Sequence, residues 1–140
     1  MAITEIEGRD ITQCSVLVVD DISLNVILLT KFLGQYGCKV RSASSGQMAL
    51  DMIAQEKPAI VLLDIMMPGI DGIMLLQMLR QNPAYSDIRI VMVSAANDNE
   101  NVMKALSLGA NDFISKPINM AKFNSCITTQ LKAYLDEHSK

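Results

Sequence analysis

The 140-residue chain is predicted to form one α/β domain, a doubly wound sheet of five parallel strands with five helices. Short apolar segments alternate five times with segments of helical periodicity. The segment 59–63 is apolar at every position, which is typical of a parallel strand covered by helices on both faces. Half of the residues are hydrophobic and 19% are charged, as in globular rather than disordered proteins.

The first half of the chain supplies two strand–helix units. Strands are predicted at 16–19 and 38–43. Ser23 is expected to cap the first helix, and Gly34 and Gly37 mark its end. The second helix runs from Ser45 to about Gln55. The residues predicted to face inward are Leu24, Ile27, Leu28 and Phe32 in the first helix and Met48, Ala49, Met52 and Ile53 in the second.

The second half supplies three more units. Strands are predicted at 59–63, 88–93 and 111–114. A loop over 66–72 leads to the third helix, and the fourth spans about 98–108 with Gly109 as a left-handed stop. The last helix begins near Asn119. Inward positions are Leu75, Leu76 and Leu79 in the third helix and Met120, Phe123, Ile127, Leu131 and Tyr134 in the last.

These boundaries predict an N-terminal extension (1–14), a domain (15–135) and a C-terminal tail (136–140), with both ends loose. The net charge is −3 and basic residues do not cluster, which argues against nucleic-acid binding. No apolar run is long enough for membrane insertion, and the start lacks a signal-peptide pattern. The three cysteines are widely spaced, which favours reduced thiols in a cytoplasmic protein.

Polar side chains follow four of the five predicted strands. Asp20 and Asp21 end the first strand, Asp64 the third and Ser94 the fourth, and Lys116 follows the fifth. The carboxyl ends of parallel strands meet at one edge of the sheet, where ligands of doubly wound folds bind. Each residue alone could be a helix cap or a solvated charge, but the set in register favours a site for a divalent cation and a phosphoryl group.

Magnesium prefers oxygen ligands and accepts one or two carboxylates together with phosphate oxygens. Asp20, Asp21 and Asp64 can supply the carboxylates, and the backbone carbonyl of Met66 can complete the protein's share; Mn²⁺ is an alternative ion. The cation would relieve repulsion among the carboxylates and leave Asp64 ionised as a nucleophile toward phosphorus.

Three further groups can contact the phosphoryl oxygens. Lys116 can pair with one oxygen and the Ser94 hydroxyl with another, and the Ala95 backbone N–H can assist. A cis peptide at Lys116–Pro117 is expected, because X–Pro bonds adopt that geometry at little cost and the bend would aim the lysine inward.

The segments that carry this chemistry together resemble the response-regulator receiver domain of two-component signalling. They are 16–21 (VLVVDD), 61–72 (VLLDIMMPGIDG), 93–95 (VSA) and 109–117 (GANDFISKP). The resemblance spans about 15–135 and implies a flavodoxin-like sheet of order 2-1-3-4-5. The resemblance is compatible with a single-domain, chemotaxis-regulator-like protein and also with a receiver module of a larger regulator or hybrid kinase.

The resemblance also implies roles for individual residues. Asp64 would accept phosphate from a histidine on a sensor kinase or phosphotransfer protein in a phosphorelay, and Asp20, Asp21, Asp64 and the Met66 carbonyl would hold Mg²⁺. Ser94 and Phe113 match the family's switch pair, which rearranges the face formed by the fourth helix, fifth strand and last helix. An unidentified downstream protein would dock on that face, and a phosphorylation-dependent dimer is a further possibility.

Neither Met66 nor Ala96 can orient an attacking water, which predicts a long-lived acyl phosphate and no turnover of a separate substrate. A magnesium-dependent phosphatase with an aspartate nucleophile is the main alternative, but it needs an acid where Met66 stands. A flavodoxin-like electron carrier would need a Ser/Thr-rich phosphate loop and stacking aromatic rings, and the chain has no tryptophan.

Overall fold

The computed structural model describes residues 2–138, and all structural statements refer to that range. Its strands are β1 (Glu5–Ile6), β2 (Arg9–Asp10), β3 (Ser15–Val19), β4 (Lys39–Ala43), β5 (Ile60–Asp64), β6 (Arg89–Ser94) and β7 (Asp112–Ser115). Its helices are α1 (Ser23–Leu33), α2 (Gly46–Gln55), α3 (Gly72–Gln81), α4 (Asn99–Ser107) and α5 (Met120–His138), with a 3₁₀ turn at Pro83–Tyr85.

The five strands β3 to β7 form one parallel sheet in the order β4-β3-β5-β6-β7. Numbered along the domain, this is the predicted order 2-1-3-4-5, so the flavodoxin-like fold is confirmed. The register aligns the carboxyl ends: Val19 pairs with Leu63, and Ser94 pairs with Ser115. The residues that follow these pairs therefore lie along one edge of the sheet.

Helices cover both faces of the sheet, and successive strand residues alternate between two apolar layers. Val16 and Val18 belong to the layer beneath α1 and α5, whereas Leu17 and Val19 belong to the layer beneath α2, α3 and α4. All residues of β3 and β5 are buried. This double burial explains the uninterrupted apolar runs at 16–19 in β3 and 60–63 in β5.

Helix α1 presents a different face from the one predicted. Leu24 is 72% exposed and Ile27 is 62% exposed, while Leu29 and Leu33 are buried against the sheet. The prediction was wrong for Leu24, Ile27 and Leu28. Phe32, in contrast, is half-buried and packs against the ring of Phe123. Helix α1 is apolar nearly all round, so periodicity does not identify one inward stripe. The proposed Ser23 cap was also wrong: the N-cap is Ile22, without a side-chain cap bond.

The remaining helices follow the sequence pattern more closely. Ser45 caps α2 by accepting a hydrogen bond from the Met48 backbone N–H at 3.1 Å. The three leucines predicted to face inward in α3 are fully buried, whereas Met48 of α2 is exposed. Gly109 has φ +108°, which confirms the left-handed stop after α4. Strands β6 and β7 each begin and end one residue later than predicted.

Within the described residues, parts of both ends have regular secondary structure, so the expectation that they are loose was wrong there. β1 and β2 form an antiparallel hairpin whose turn residues Glu7 and Gly8 both have positive φ. Ile11 is fully buried in the layer beneath α1 and α5. Helix α5 continues to His138, and residues 139–140 lie outside the described residues. The division at 15 and 135 stays a prediction.

Candidate functional site

Three carboxylates meet where β3 and β5 end. Asp20, Asp21 and Asp64 each place a carboxylate oxygen within 4.8 Å of the others. Asp64 is the last residue of β5, and Asp20 directly follows β3 with its backbone N–H donating to the Ala43 carbonyl at 3.1 Å. Asp20 is 1% exposed and Asp64 is 4% exposed, whereas Asp21 is open to solvent. The strands thus fix two buried carboxylates beside a third that is accessible.

Burial, and to a smaller extent the charge of Asp20, raises the pKa of Asp64 to about 6. The Lys116 ammonium and the Met66 backbone N–H partly oppose this rise in pKa. The anionic form of Asp64 is therefore costly unless a positive group joins the cluster. A divalent cation beside the three carboxylates would supply that charge.

Lys116 reaches the cluster from β7. Its Nζ lies 3.5 Å from Asp64 Oδ1, and its side chain is about one-third exposed. The backbone N–H of Lys116 donates to the Ser94 carbonyl at 2.8 Å, which extends the ladder between β6 and β7 past Ser115. The Lys116–Pro117 peptide is cis, as predicted. Asp64 and Lys116 therefore meet across β6, which lies between their strands.

Two buried oxygens at this edge have no hydrogen-bond partner among the described residues. Asp20 Oδ1 accepts the Ile22 backbone N–H at 2.9 Å, but Asp20 Oδ2 accepts nothing, and Ser94 Oγ is also unpartnered. A buried polar group without a partner costs about 1–3 kcal/mol. The three carboxylates with a vacant carboxylate oxygen fit a hard cation such as Mg²⁺. The Ser94 hydroxyl is available to an oxygen-rich group beside it.

Of the other predicted site residues, Met66 and Ala95 follow β5 and β6 at this edge, whereas Phe113 lies within β7. Met66 has an exposed side chain, and its backbone N–H faces Asp64. Ala95 is exposed in the loop after β6. Phe113 pairs with Met92 in the ladder, and its side chain is 41% exposed. The roles of the Met66 carbonyl, the Ala95 N–H and Phe113 stay predictions.

Gly72 is a positioning residue that sequence reasoning missed. It is the first residue of α3, and a Cβ there would collide with the backbone oxygen of Asp64 and lie 2.7 Å from the Ile65 Cα. Only glycine lets α3 begin this close to the strand that carries Asp64. The available signal was a glycine directly after Asp71, whose side chain caps α3 by accepting the Met74 N–H at 2.9 Å.

No helix within residues 2–138 has both the length and the apolar character needed to cross a bilayer.

This chain matches a protein-family model and curated relatives along most of its length. The model of the response regulator receiver domain family matches residues 16–128. The response regulator PleD of Caulobacter vibrioides is 38% identical over 87% of this chain and 27% of its own length. A probable chemotaxis protein CheY of Rhizobium etli is 34% identical over 80% of this chain and 88% of its own length.

Solved structures agree with these matches. The receiver domain of NtrX from Brucella abortus has a TM-score of 0.79 and 30% sequence identity, covering 84% of this chain and 98% of that domain. The chain spans roughly a quarter to a half of the length of most of the curated relatives it matches, and most of the CheY relative.

Proposed function

The chain belongs to the response regulator receiver domain family, whose members are phosphorylation-controlled signalling switches, and we propose that Asp64 is its phosphoacceptor. The donor is a phosphohistidine on a sensor kinase or phosphotransfer protein. The observation that carries the proposal is the meeting of buried Asp64 with Asp20, Asp21 and Lys116 at one edge of the sheet. Lys116, together with a divalent cation held by the carboxylates, would balance the negative charge of a phosphoryl group on Asp64.

The transfer forms one bond and breaks another. A carboxylate oxygen of Asp64 bonds to phosphorus while the N–P bond of the donor breaks, and the electron pair leaves with the imidazole nitrogen, which takes up a proton. The protein positions the two partners and neutralises charge, which are the main requirements of phosphoryl transfer. Because the donor's histidine leaves and Asp64 keeps the phosphoryl group, the chain is a substrate of the reaction rather than a turnover enzyme.

Asp20, Asp21, Asp64 and the Met66 carbonyl would hold Mg²⁺. The bound ion would neutralise charge on the phosphoryl oxygens and keep Asp64 ionised. The buried, unpartnered Asp20 Oδ2 supports this assignment, because the surrounding protein leaves it free to bind a metal ion. The raised pKa of Asp64 supports it as well, since burial and Asp20 both favour addition of positive charge.

Lys116, Ser94 and the Ala95 N–H would bind the phosphoryl oxygens. Lys116 Nζ is already 3.5 Å from the nucleophilic carboxylate, so a phosphoryl group on Asp64 would lie within its reach. Ser94 Oγ has no partner in the described part of the chain and gains one when it turns toward that group. This gain in hydrogen bonding provides a driving force for moving the hydroxyl.

The switch would run from Ser94 to Phe113. The outward Phe113 ring borders a cavity of about 410 Å³ formed by β7, Lys116–Pro117 and the start of α5. Movement of Ser94 toward the phosphoryl group would open room for the ring to turn inward. Exposed Met103 of α4 and Met120 of α5 lie on the helices that flank β7. This face would then present a changed surface to a downstream protein or a second copy.

The exposed face of α1 is the docking site that we assign to the phosphodonor. Leu24 and Ile27 lie near the start of α1, which begins two residues after Asp21. Beside them, Leu28, Lys116 and Pro117 line a mostly apolar cavity of about 220 Å³. A donor whose histidine reaches Asp64 must rest on the surface next to it, and apolar side chains there offer contact area for the encounter.

Phosphorylation by a small phosphodonor tests the assignment directly. With Mg²⁺ and acetyl phosphate, the wild type should gain one phosphoryl group by intact mass, and Asp64→Asn should gain none. Asp51→Asn is the matched control, because Asp51 lies on the exposed surface of α2 and contacts Gln47. Labelling of Asp64→Asn equal to that of the wild type would exclude Asp64 as the acceptor.

A further inference from the structure

The last turn of α5 contacts the turn that precedes β6 through the chain's one histidine. His138 Nε2 lies 2.9 Å from Asp87 Oδ2, and His138 Nδ1 lies 2.7 Å from the Tyr134 carbonyl oxygen. The imidazole also stacks on the Tyr134 ring with centroids 4.0 Å apart and an interplanar angle of 22°. These contacts join the end of α5 to a loop that lies between α3 and β6.

Both nitrogens of the imidazole face oxygen atoms that only accept hydrogen bonds. A neutral imidazole has one N–H, so either tautomer would point a lone pair at an oxygen. The doubly protonated ring donates to both oxygens at once. A cation at the C-terminal end of a helix is also favoured by the helix dipole.

We propose that His138 is a proton-operated clamp, in which the protonated ring ties the last turn of α5 to Asp87 and loss of the proton releases that turn. This inference concerns the opposite end of α5 from Lys116 and Phe113, and it does not depend on the phosphoryl site.

The charges around the ring favour its protonated form. Its pKa is raised above the ordinary 6.5, chiefly by the bond to the Tyr134 carbonyl. Burial opposes this rise, and the bond to Asp87 and the charges of Asp87 and Glu137 add to it. Lys57 binds the same Asp87 carboxylate at 2.9 and 3.0 Å. Arg89, from β6, pairs with Glu137 at 2.8 Å, and Arg80 lies near Asp87 and Glu137.

The sign of the pH dependence follows from the direction of this shift. A histidine whose pKa is raised in the folded protein stabilises it fully below pH 6.5, and this contribution is lost as the pH rises through the folded value. The clamp is therefore closed in mildly acidic solution and open in alkaline solution. The charges of the neighbouring residues set the pKa of His138 and therefore the pH at which the clamp opens.

Other contacts confine the release to the end of the helix. Arg89 also binds Gln130 at 2.9 Å, and Arg9 of the N-terminal hairpin binds Asp136 at 2.7 Å. The bond from Arg89 to Gln130 does not involve the imidazole and persists when His138 loses its proton. The ion pairs that the last turn makes with Arg9 and Arg89 are exposed and stabilise the protein little, so they do not hold that turn by themselves. Gln130 and the turns before it should stay helical, while the turn that ends at His138 should fray.

NMR titration measures the clamp without assignment ambiguity, because the chain has one imidazole. The midpoint of the His138 ring resonances should lie above 6.5 in the wild type. Asp87→Asn should lower this midpoint toward 6.5 because it removes the negative charge but keeps an acceptor oxygen. Asp51→Asn, a surface carboxylate elsewhere, should leave it unchanged, and Lys57→Gln should not lower it because Asp87 keeps its charge.

Backbone chemical shifts provide the structural readout. Between pH 5.5 and 9, helical Cα shifts of the turn from Tyr134 to Glu137 should decline with the same midpoint as the imidazole, while that of Gln130 stays constant. In His138→Gln this decline should be absent. A wild-type midpoint at or below 6.5, one that is unaffected by Asp87→Asn, or last-turn shifts independent of pH would each overturn the clamp.

Discussion

Replacing Asp64 by asparagine should stabilise the fold at neutral pH in the absence of divalent cations. Burial and the Asp20 charge raise the pKa of Asp64 from 3.8 to about 6. A carboxyl whose pKa is raised by folding stabilises the protein below about pH 4, and this contribution is lost as the pH rises through about 6. At pH 7 the wild type bears the cost of ionising Asp64, and the neutral amide does not.

The magnitude follows from the size of the shift. A change of one pKa unit corresponds to 1.36 kcal/mol, so the shift from 3.8 to about 6 amounts to about 3 kcal/mol. The side chain is 6% exposed, which leaves little solvent screening. The shift already includes the favourable effect of Lys116. For a domain of this size, about 3 kcal/mol raises Tm by roughly 10 °C.

Urea unfolding and thermal melts in EDTA, at pH 7 and at pH 4, measure the effect. The gain should be about 3 kcal/mol at pH 7 and should nearly vanish at pH 4, where the wild-type carboxyl is protonated. Saturating Mg²⁺ should narrow the difference at pH 7, because the ion stabilises the ionised wild type. Asp51→Asn serves as the control for loss of a surface charge.

Two results would refute this reasoning. Equal or lower stability of Asp64→Asn at pH 7 would show that the ionised carboxylate is not costly in the folded chain. A gain of the same size at pH 4 and pH 7 would show that the effect comes from packing of the amide rather than from ionisation.

Three further predictions concern the signalling reaction. Lys116→Ala should keep Mg²⁺-dependent stabilisation but lose the Phe113 amide shift that beryllofluoride causes in the wild type; an unchanged Phe113 response would contradict its role. Loss of labelled phosphate from the wild type should be slow because Met66 cannot orient water, and a half-life of seconds would refute this. A double variant with Leu24→Ser and Ile27→Ser should slow transfer from a phosphohistidine protein by roughly tenfold without affecting acetyl phosphate labelling. Met103→Ser, at a residue that is 66% exposed on α4, is the matched control, and equal slowing by it would argue against docking on α1.

The sheet could be predicted because its signal is local. Strands β3 and β5 are apolar except for Ser15 at the start of β3 and Asp64 at the end of β5. The helices that follow the strands provide the length that a crossover connection needs. The carboxyl-edge residues could be predicted for the same reason. Once parallel strands are assigned, their ends meet at one edge, and Asp20, Asp64 and Ser94 are placed together without knowledge of any side-chain contact.

The inward face of α1 could not be predicted, because its apolar residues surround the helix. Leu29 and Leu33 are buried while Leu24 and Ile27 are exposed. Which of these two pairs is buried depends on the orientation in which α1 packs on the sheet. The hairpin of the N-terminal extension was missed for a related reason: each strand has two residues, too few for an alternating pattern.

The sequence by itself determined the parallel sheet, the order of its elements and the identity of the acidic edge, since each depends on periodicity and on residues next to strand ends. The tertiary structure decided which oxygens of that edge lack partners, how far burial shifts the pKa of Asp64, and that His138 meets Asp87. Those properties depend on distances between residues far apart in the chain, and such distances exist only after the helices have packed on the sheet.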